Sequence, residues 1–206
     1  FNDGQLFDDL KMKEIVKELY SNKKIQPVVI LGIHAGNRLQ EYGIADKSST
    51  GNAGGKADHY ANFINNELYP YAKKNAGVRK FNTITVAGFG AGALSAMDFA
   101  WEHADKISKA GMFSGAFSRK ANSADTSSIG EMYDKIKASR KRPKTEFWFY
   151  AGSDNNVSGI KSDDALQVEK YTDTLVRLLS DKNFISQGDI VYKKDKSNDV
   201  AAWQSA

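Results

Sequence analysis

Val86-Ala87-Gly88-Phe89-Gly90-Ala91-Gly92 is the stretch that decides the fold. It ends the apolar run Thr83 to Phe89 and opens the segment Gly92 to His103, which reads as a helix. A strand that turns into a helix on closely spaced glycines has two common uses. One cradles a pyrophosphate and needs the spacing G-x-G-x-x-G, which this stretch lacks. The other is the nucleophile elbow, G-x-S-x-G, whose outer glycines let strand and helix pack closely. The spacing here is that of the elbow, with Gly90 in the nucleophile's place.

Outward from the elbow, short apolar runs alternate with amphipathic segments. Pro27 to Ile33, Thr83 to Phe89, Lys109 to Ser114, Glu146 to Ala151 and Asp189 to Lys193 read as buried strands. They lack clean alternation, which suits a parallel sheet covered on both faces. Met12, Ile15, Val16 and Leu19 share one helical face, as do Tyr60, Phe63, Ile64, Leu68 and Tyr71. Ile129 to Ser139 reads as a shorter helix, and Val168, Tyr171, Leu175 and Leu179 mark a long one. The order predicts a doubly wound α/β sheet in one domain over residues 1–206. Gly43 to Gly55 and Ala116 to Ser128 are polar loops expected above the carboxyl ends of strands, where such sheets bind ligands. Phe1 to Gln5 reads as the tail of a strand and Trp203 to Ala206 as the opening of a helix, so the fold is expected to be truncated at both ends.

Composition narrows the function. The 206 residues can bury a sizeable core, and the 41% hydrophobic and 26% charged shares are those of an ordinary globular chain. The absence of cysteine excludes disulfides, thiolate metal sites and cysteine nucleophiles. No apolar run reaches the roughly 18 residues of a membrane span, and no signal peptide pattern opens the chain. The net charge is +4. The basic run Lys135 to Lys144 reads as a solvated helix end, and a nucleic-acid partner is not expected. No His, Asp and Glu cluster has ligand spacing, so neither metal nor other cofactor is expected.

The wider stretch 84–119, ITVAGFGAGALSAMDFAWEHADKISKAGMFSGAFSR, resembles the esterase D family of α/β-hydrolases, which includes enterochelin, feruloyl and acetyl xylan esterases. Asn2-Asp3-Gly4-Gln5, Arg38-Leu39-Gln40-Glu41-Tyr42-Gly43 and Gly55-Lys56-Ala57 extend the resemblance to essentially the whole chain. It implies a three-layer α/β-hydrolase-like fold with a mainly parallel sheet. No cellular address is read from the chain itself, and a periplasmic or extracellular one would accord with the resemblance. The family's serine aligns to Gly90. Its histidine precedes a tryptophan in the last loop; Trp203 sets the register, and that position falls on Asn198. The acid aligns to Asp154, after Tyr150-Ala151-Gly152-Ser153. Glycine cannot attack a carbonyl, and an Asn amide cannot take and return a proton near neutral pH as imidazole does.

The sequence therefore reads as a catalytically degenerate esterase-like domain, a ligand-binding or structural module with a small-molecule, acyl-ester or carbohydrate ligand. The alternative is a carboxylic-ester hydrolase disabled by substitution or using other groups. Backbone amides form the oxyanion site of such folds, and the resemblance places them at Ala91 and Gly4-Gln5. His34, Arg38, Ser114 and Trp203 are further pocket candidates. Arg38, Glu41 and Tyr42 also suit a structural salt bridge. Ser95 should pack inside its helix. His59 and His103 read as structural, with a positive charge at His103 favoured by the helix dipole. Asp163-Asp164 reads as a helix start.

Overall fold

The computed structural model describes residues 1–45, 54–120, 126–153, 168–185 and 188–206. Asp154 and Asp163-Asp164 lie outside the described residues, as do parts of both polar loops. Four strands form one parallel sheet in sequential order: β1 (Thr85–Phe89), β2 (Lys109–Phe113), β3 (Glu146–Gly152) and β4 (Ile190–Asp195). The described helices are α1 (Met12–Ser21), α2 (Arg38–Glu41), α3 (Ala57–Phe63), α4 (Tyr69–Ala76), α5 (Ala91–Glu102), α6 (Glu131–Ala138), α7 (Val168–Asp181) and α8 (Val200–Gln204). A π-helical turn, Ile64–Leu68, joins α3 to α4, so the helical face read from Tyr60 to Tyr71 is continuous.

Alternation along the strands sorts the core into two layers. Ala110, Met112, Phe147 and Phe149 face one cluster with Leu94 and Met97 of α5, Met132 and Ile136 of α6, and Leu175 and Leu179 of α7. Phe89, Phe113, Trp148 and Tyr150 face the other, with Leu10, Met12 of α1 and Trp203 of α8. Helices thus cover both sheet faces, giving three layers. Helix α5 is buried almost throughout, which is why its sequence carries no polar stripe.

One expected strand differs. Pro27 to Ile33 is extended, but among the described residues its one bridge joins Ile33 to Asn2, in parallel. Phe1 and Leu31 are tied by a terminal hydrogen bond, and Ile33 N–H donates to the Phe1 carbonyl at 2.8 Å. Among the described residues, 28–30 make no backbone hydrogen bonds. Val28 and Val29 are half exposed. The expectation of a buried strand is corrected on this point: apolar runs encode affinity for a sheet, whereas burial needs a partner on the second edge.

Residues 1–3 lie between this segment and β1, with Asn2 N–H donating to the Ala87 carbonyl at 2.8 Å. The first residues thus join the sheet beside the elbow strand, and the chain then tightens into a 3-10 turn at Gly4–Leu6. This placement brings positions 2–5 to the amino end of α5.

Candidate functional site: the strand-to-helix elbow

Each glycine of the elbow answers a separate contact. A Cβ on Gly88 would stand 2.4 Å from the Gly92 carbonyl carbon, so strand and helix meet backbone to backbone. A Cβ on Gly92 would stand 2.6 Å from the Asp3 carboxylate. Gly90, between them, has φ 54° and ψ −116°. That left-handed φ costs a residue with a Cβ roughly 1–2 kcal/mol, and glycine avoids it. Gly90 is pinned on both sides: its amide donates to Phe113 at 3.0 Å, and its carbonyl accepts from Ala116 at 3.0 Å.

Those bonds bring Ser114 alongside the elbow. Ser114 has φ 48° and is fully buried. Trp203 Nε1 donates to its hydroxyl at 2.9 Å, and the hydroxyl donates to Asn198 Oδ1 at 2.7 Å. Asn198 is also fully buried. Its Oδ1 accepts from Gly152 N–H at 2.6 Å, and its Nδ2 donates to the Gly152 carbonyl at 2.7 Å. The amide orientation follows from these bonds, because a backbone N–H can face only the oxygen. Helix α8 fixes Trp203, and Asp199 caps that helix by accepting from Ala202 N–H at 2.8 Å. The positions aligned to nucleophile and histidine are therefore brought to the same end of the sheet through Ser114. Asp154, two residues past Gly152, lies outside the described residues.

The amide of Ala91 is the first of α5 and, like the Gln5 amide, has no acceptor among the described residues. Gly4 differs: its amide donates to the Ile33 carbonyl at 3.0 Å, so it is already paired. A buried polar cluster holds this corner. The Asp3 carboxylate, wholly buried, accepts from Arg38 Nε, from Arg38 Nη2 at 2.8 Å and from Gln5 Nε2 at 2.9 Å. Hydrogen bonding to Asp3 raises the Arg38 pKa and keeps the guanidinium charged. Asp3 N–H donates to the Tyr42 hydroxyl at 2.9 Å. Burial, helped by the Asp3 charge, pushes that hydroxyl up to about 12, so it stays protonated. Tyr60 donates to Asn2 Oδ1 at 2.6 Å, and Asn2 Nδ2 donates to the Gly92 carbonyl at 2.7 Å.

Sequence reasoning named Arg38 but missed Asp3, Asn2 and Tyr60 as its company. The signal was Asn2-Asp3 before Gly4: two polar residues where a buried strand end was expected. Glu41 does not pair with Arg38; its carboxylate accepts from the amides of Gly36 and Asn37 at 3.1 and 3.0 Å. His34 is exposed, and His59 is exposed within α3. Ser95 is buried within α5. His103 ends α5 against Phe99, with Asn65 Nδ2 donating to its Nε2 at 3.1 Å. Burial lowers its pKa, so the charge expected from the helix dipole is disfavoured there. Among the described residues no group of His, Asp and Glu is placed to hold a metal ion, and no helix is long and apolar enough to cross a membrane.

A parallel sheet between two helical layers, with a glycine-lined elbow at its carboxyl edge, is an α/β-hydrolase-like architecture. The chain belongs to the family described as "Putative esterase", whose model matches residues 1–206. Solved structures share the fold. Enterochelin esterase from Shigella flexneri superposes with a TM-score of 0.73 at 16% identity, over 98% of this chain and 46% of that one. A ferulic acid esterase gives 0.65 at 14% identity, over 97% of this chain and 75% of that one. An IroE-like serine hydrolase from Shewanella oneidensis gives 0.67 at 17% identity, over 95% and 61%. The chain thus spans less than half the length of the enterochelin esterase. No curated protein matches it by sequence.

Proposed function

We propose that the chain is a catalytically degenerate esterase-like domain that keeps an oxyanion corner and has lost hydrolysis. The observation that supports this most is the engagement of Asn198. At the position aligned to the family's base, its amide closes a two-bond ring with Gly152 and accepts the Ser114 hydroxyl. Such a side chain is a structural tie between the end of β3 and the last loop. It offers no basic lone pair to a nucleophile, and Gly90 offers no nucleophile.

The ligand proposed is a small molecule bearing an ester or carboxylate, an acylated carbohydrate among them. Support comes from the Ala91 amide, the first of a helix of 12 residues, and the Gln5 amide of the 3-10 turn, neither of which has an acceptor among the described residues. An enterobactin esterase of Shigella flexneri with the same fold is solved in the presence of enterobactin.

The test is turnover of p-nitrophenyl acetate by the purified chain, beside buffer and a Gly90→Ala variant. Hydrolysis no faster than the variant is expected. Turnover well above both would overturn the reading.

A further inference from the structure

The geometry points to Asp3 and Arg38 as a positioning pair that sets the Gln5 amide beside the Ala91 amide. The inference rests on the proposed reading of those two amides as the ligand corner. Asp3 has φ 63°, a left-handed conformation unfavourable for a residue with a side chain. Its carboxylate is nevertheless fully buried and meets Arg38 through two guanidinium nitrogens. The same guanidinium reaches the elbow, where Nη2 donates to the Phe89 carbonyl at 3.3 Å. On the far side of Ala91, Asn2 donates to the Gly92 carbonyl at 2.7 Å. Asn2 and Arg38 therefore hold the carbonyls on both flanks of Gly90-Ala91, and Asp3 holds Arg38. The Gln5 side chain is tied to Asp3 as well, at 2.9 Å.

Three consequences follow from this arrangement. The left-handed turn at Asp3 directs the chain so that Gly4 N–H closes on Ile33 while Gln5 N–H has no acceptor among the described residues. The ion pair holds that turn against relaxation. Because Arg38 is neutralised by Asp3, its charge is committed to the scaffold, and an anion at this corner is held by backbone amides. The guanidinium meets the carboxylate through two nitrogens, a bidentate contact that a single ammonium cannot reproduce.

The experiment is amide NMR of the whole 206-residue chain, titrated with sodium acetate as the probe. In the unaltered protein the Gln5 and Ala91 amides are expected to shift together and saturate. In Asp3→Asn and in Arg38→Lys the Gln5 amide should move before any acetate is added, and acetate should bind roughly tenfold more weakly. The double variant should be no worse than the weaker single one, as expected for partners in one network. Folded variants whose Gln5 and Ala91 amides and acetate affinity stay unchanged would overturn the assignment. Acetate that shifts neither amide in the unaltered protein would defeat the proposed ligand corner alone; the acetate-free Gln5 position would still decide the positioning role. Should Asp3→Asn fail to fold, Arg38→Lys, at a half-exposed side chain, carries the test.

Discussion

Asn198 and Gly152 pair as two strands would, with Oδ1 accepting the Gly152 amide at 2.6 Å and Nδ2 donating to its carbonyl at 2.7 Å. The approach is close enough that a Cβ on Gly152 would stand 2.2 Å from the Ser197 carbonyl oxygen. One side chain thus satisfies both polar groups of a buried backbone unit. Asn198→Ala should leave that N–H and C=O without this partner, and leave the Ser114 hydroxyl with only its bond from Trp203. A loss of about 2–4 kcal/mol is expected, from desolvated groups without partners. Urea denaturation with an unchanged slope would measure it; a loss under about 0.5 kcal/mol would mean the tie is unimportant.

On the proposed reading, hydrolysis should appear only when Gly90 and Asn198 are both replaced. Gly90→Ser should cost roughly 1–2 kcal/mol at its left-handed φ and gain no activity, because its proton has no acceptor. Gly90→Ser with Asn198→His should hydrolyse p-nitrophenyl acetate faster than either single variant. It should also melt lower than Gly90→Ser, since an imidazole cannot close the ring with Gly152. Comparing turnover and melting temperature of the four proteins checks both statements. Full activity in Gly90→Ser alone would show that Asn198 does not mark a lost base.

Asp98 provides a pH prediction. It is buried in α5, accepting from Ala45 N–H at 2.9 Å and pairing with Lys135. Burial raises its pKa to about 6, while the Lys135 charge and hydrogen bonds oppose the rise. The folded state therefore binds this proton more tightly than the unfolded chain, whose aspartates titrate near 3.9. Asp98 thus contributes stability that is present below about pH 4 and lost as pH rises towards about 6. His103 acts with the opposite sign below 6.5, because its folded pKa is lowered. The difference between the unaltered protein and Asp98→Asn isolates the aspartate. Urea midpoints at several pH values should show the variant gaining relative stability from pH 4 to 6, by on the order of 2 kcal/mol. A constant difference would place the Asp98 pKa near its ordinary value.

Gly88 and Gly55 make a matched pair of substitutions. A Cβ on Gly88 meets the Gly92 backbone at 2.4 Å, whereas a Cβ on Gly55 meets nothing within 4 Å. Gly88→Ala should force strand and helix apart and cost about 2 kcal/mol or more. Gly55→Ala should be neutral or stabilise by up to about 1 kcal/mol, by restricting the unfolded chain. Thermal melts of both variants decide this, and equal behaviour would contradict the close approach at the elbow.

Much of this molecule is determined by its sequence alone. The runs ending in Phe89, Ser114 and Ala151, with amphipathic segments between them, dictate a parallel sheet covered on both faces. The glycine spacing at 88, 90 and 92 dictates the elbow. Trp203 leads the reading to Asn198 at the same sheet end, and the proposed loss of chemistry rests on the identity of residues 90 and 198. These features are written within a few neighbouring residues, where periodicity and backbone freedom act directly. What only the tertiary structure decided involves partners distant in the chain. Asp3 meets Arg38 35 positions away, and Asn198 meets Gly152 46 positions and Ser114 84 positions away. The same holds for the exposure of Val28 and Val29, the pairing of the Gly4 amide and the neutral state favoured at His103. Each depends on which backbone groups the sheet register brings within hydrogen-bonding distance, and on how much water the packed layers exclude. A local pattern encodes a group's affinity for a partner; only the assembled fold supplies the partner or withholds it.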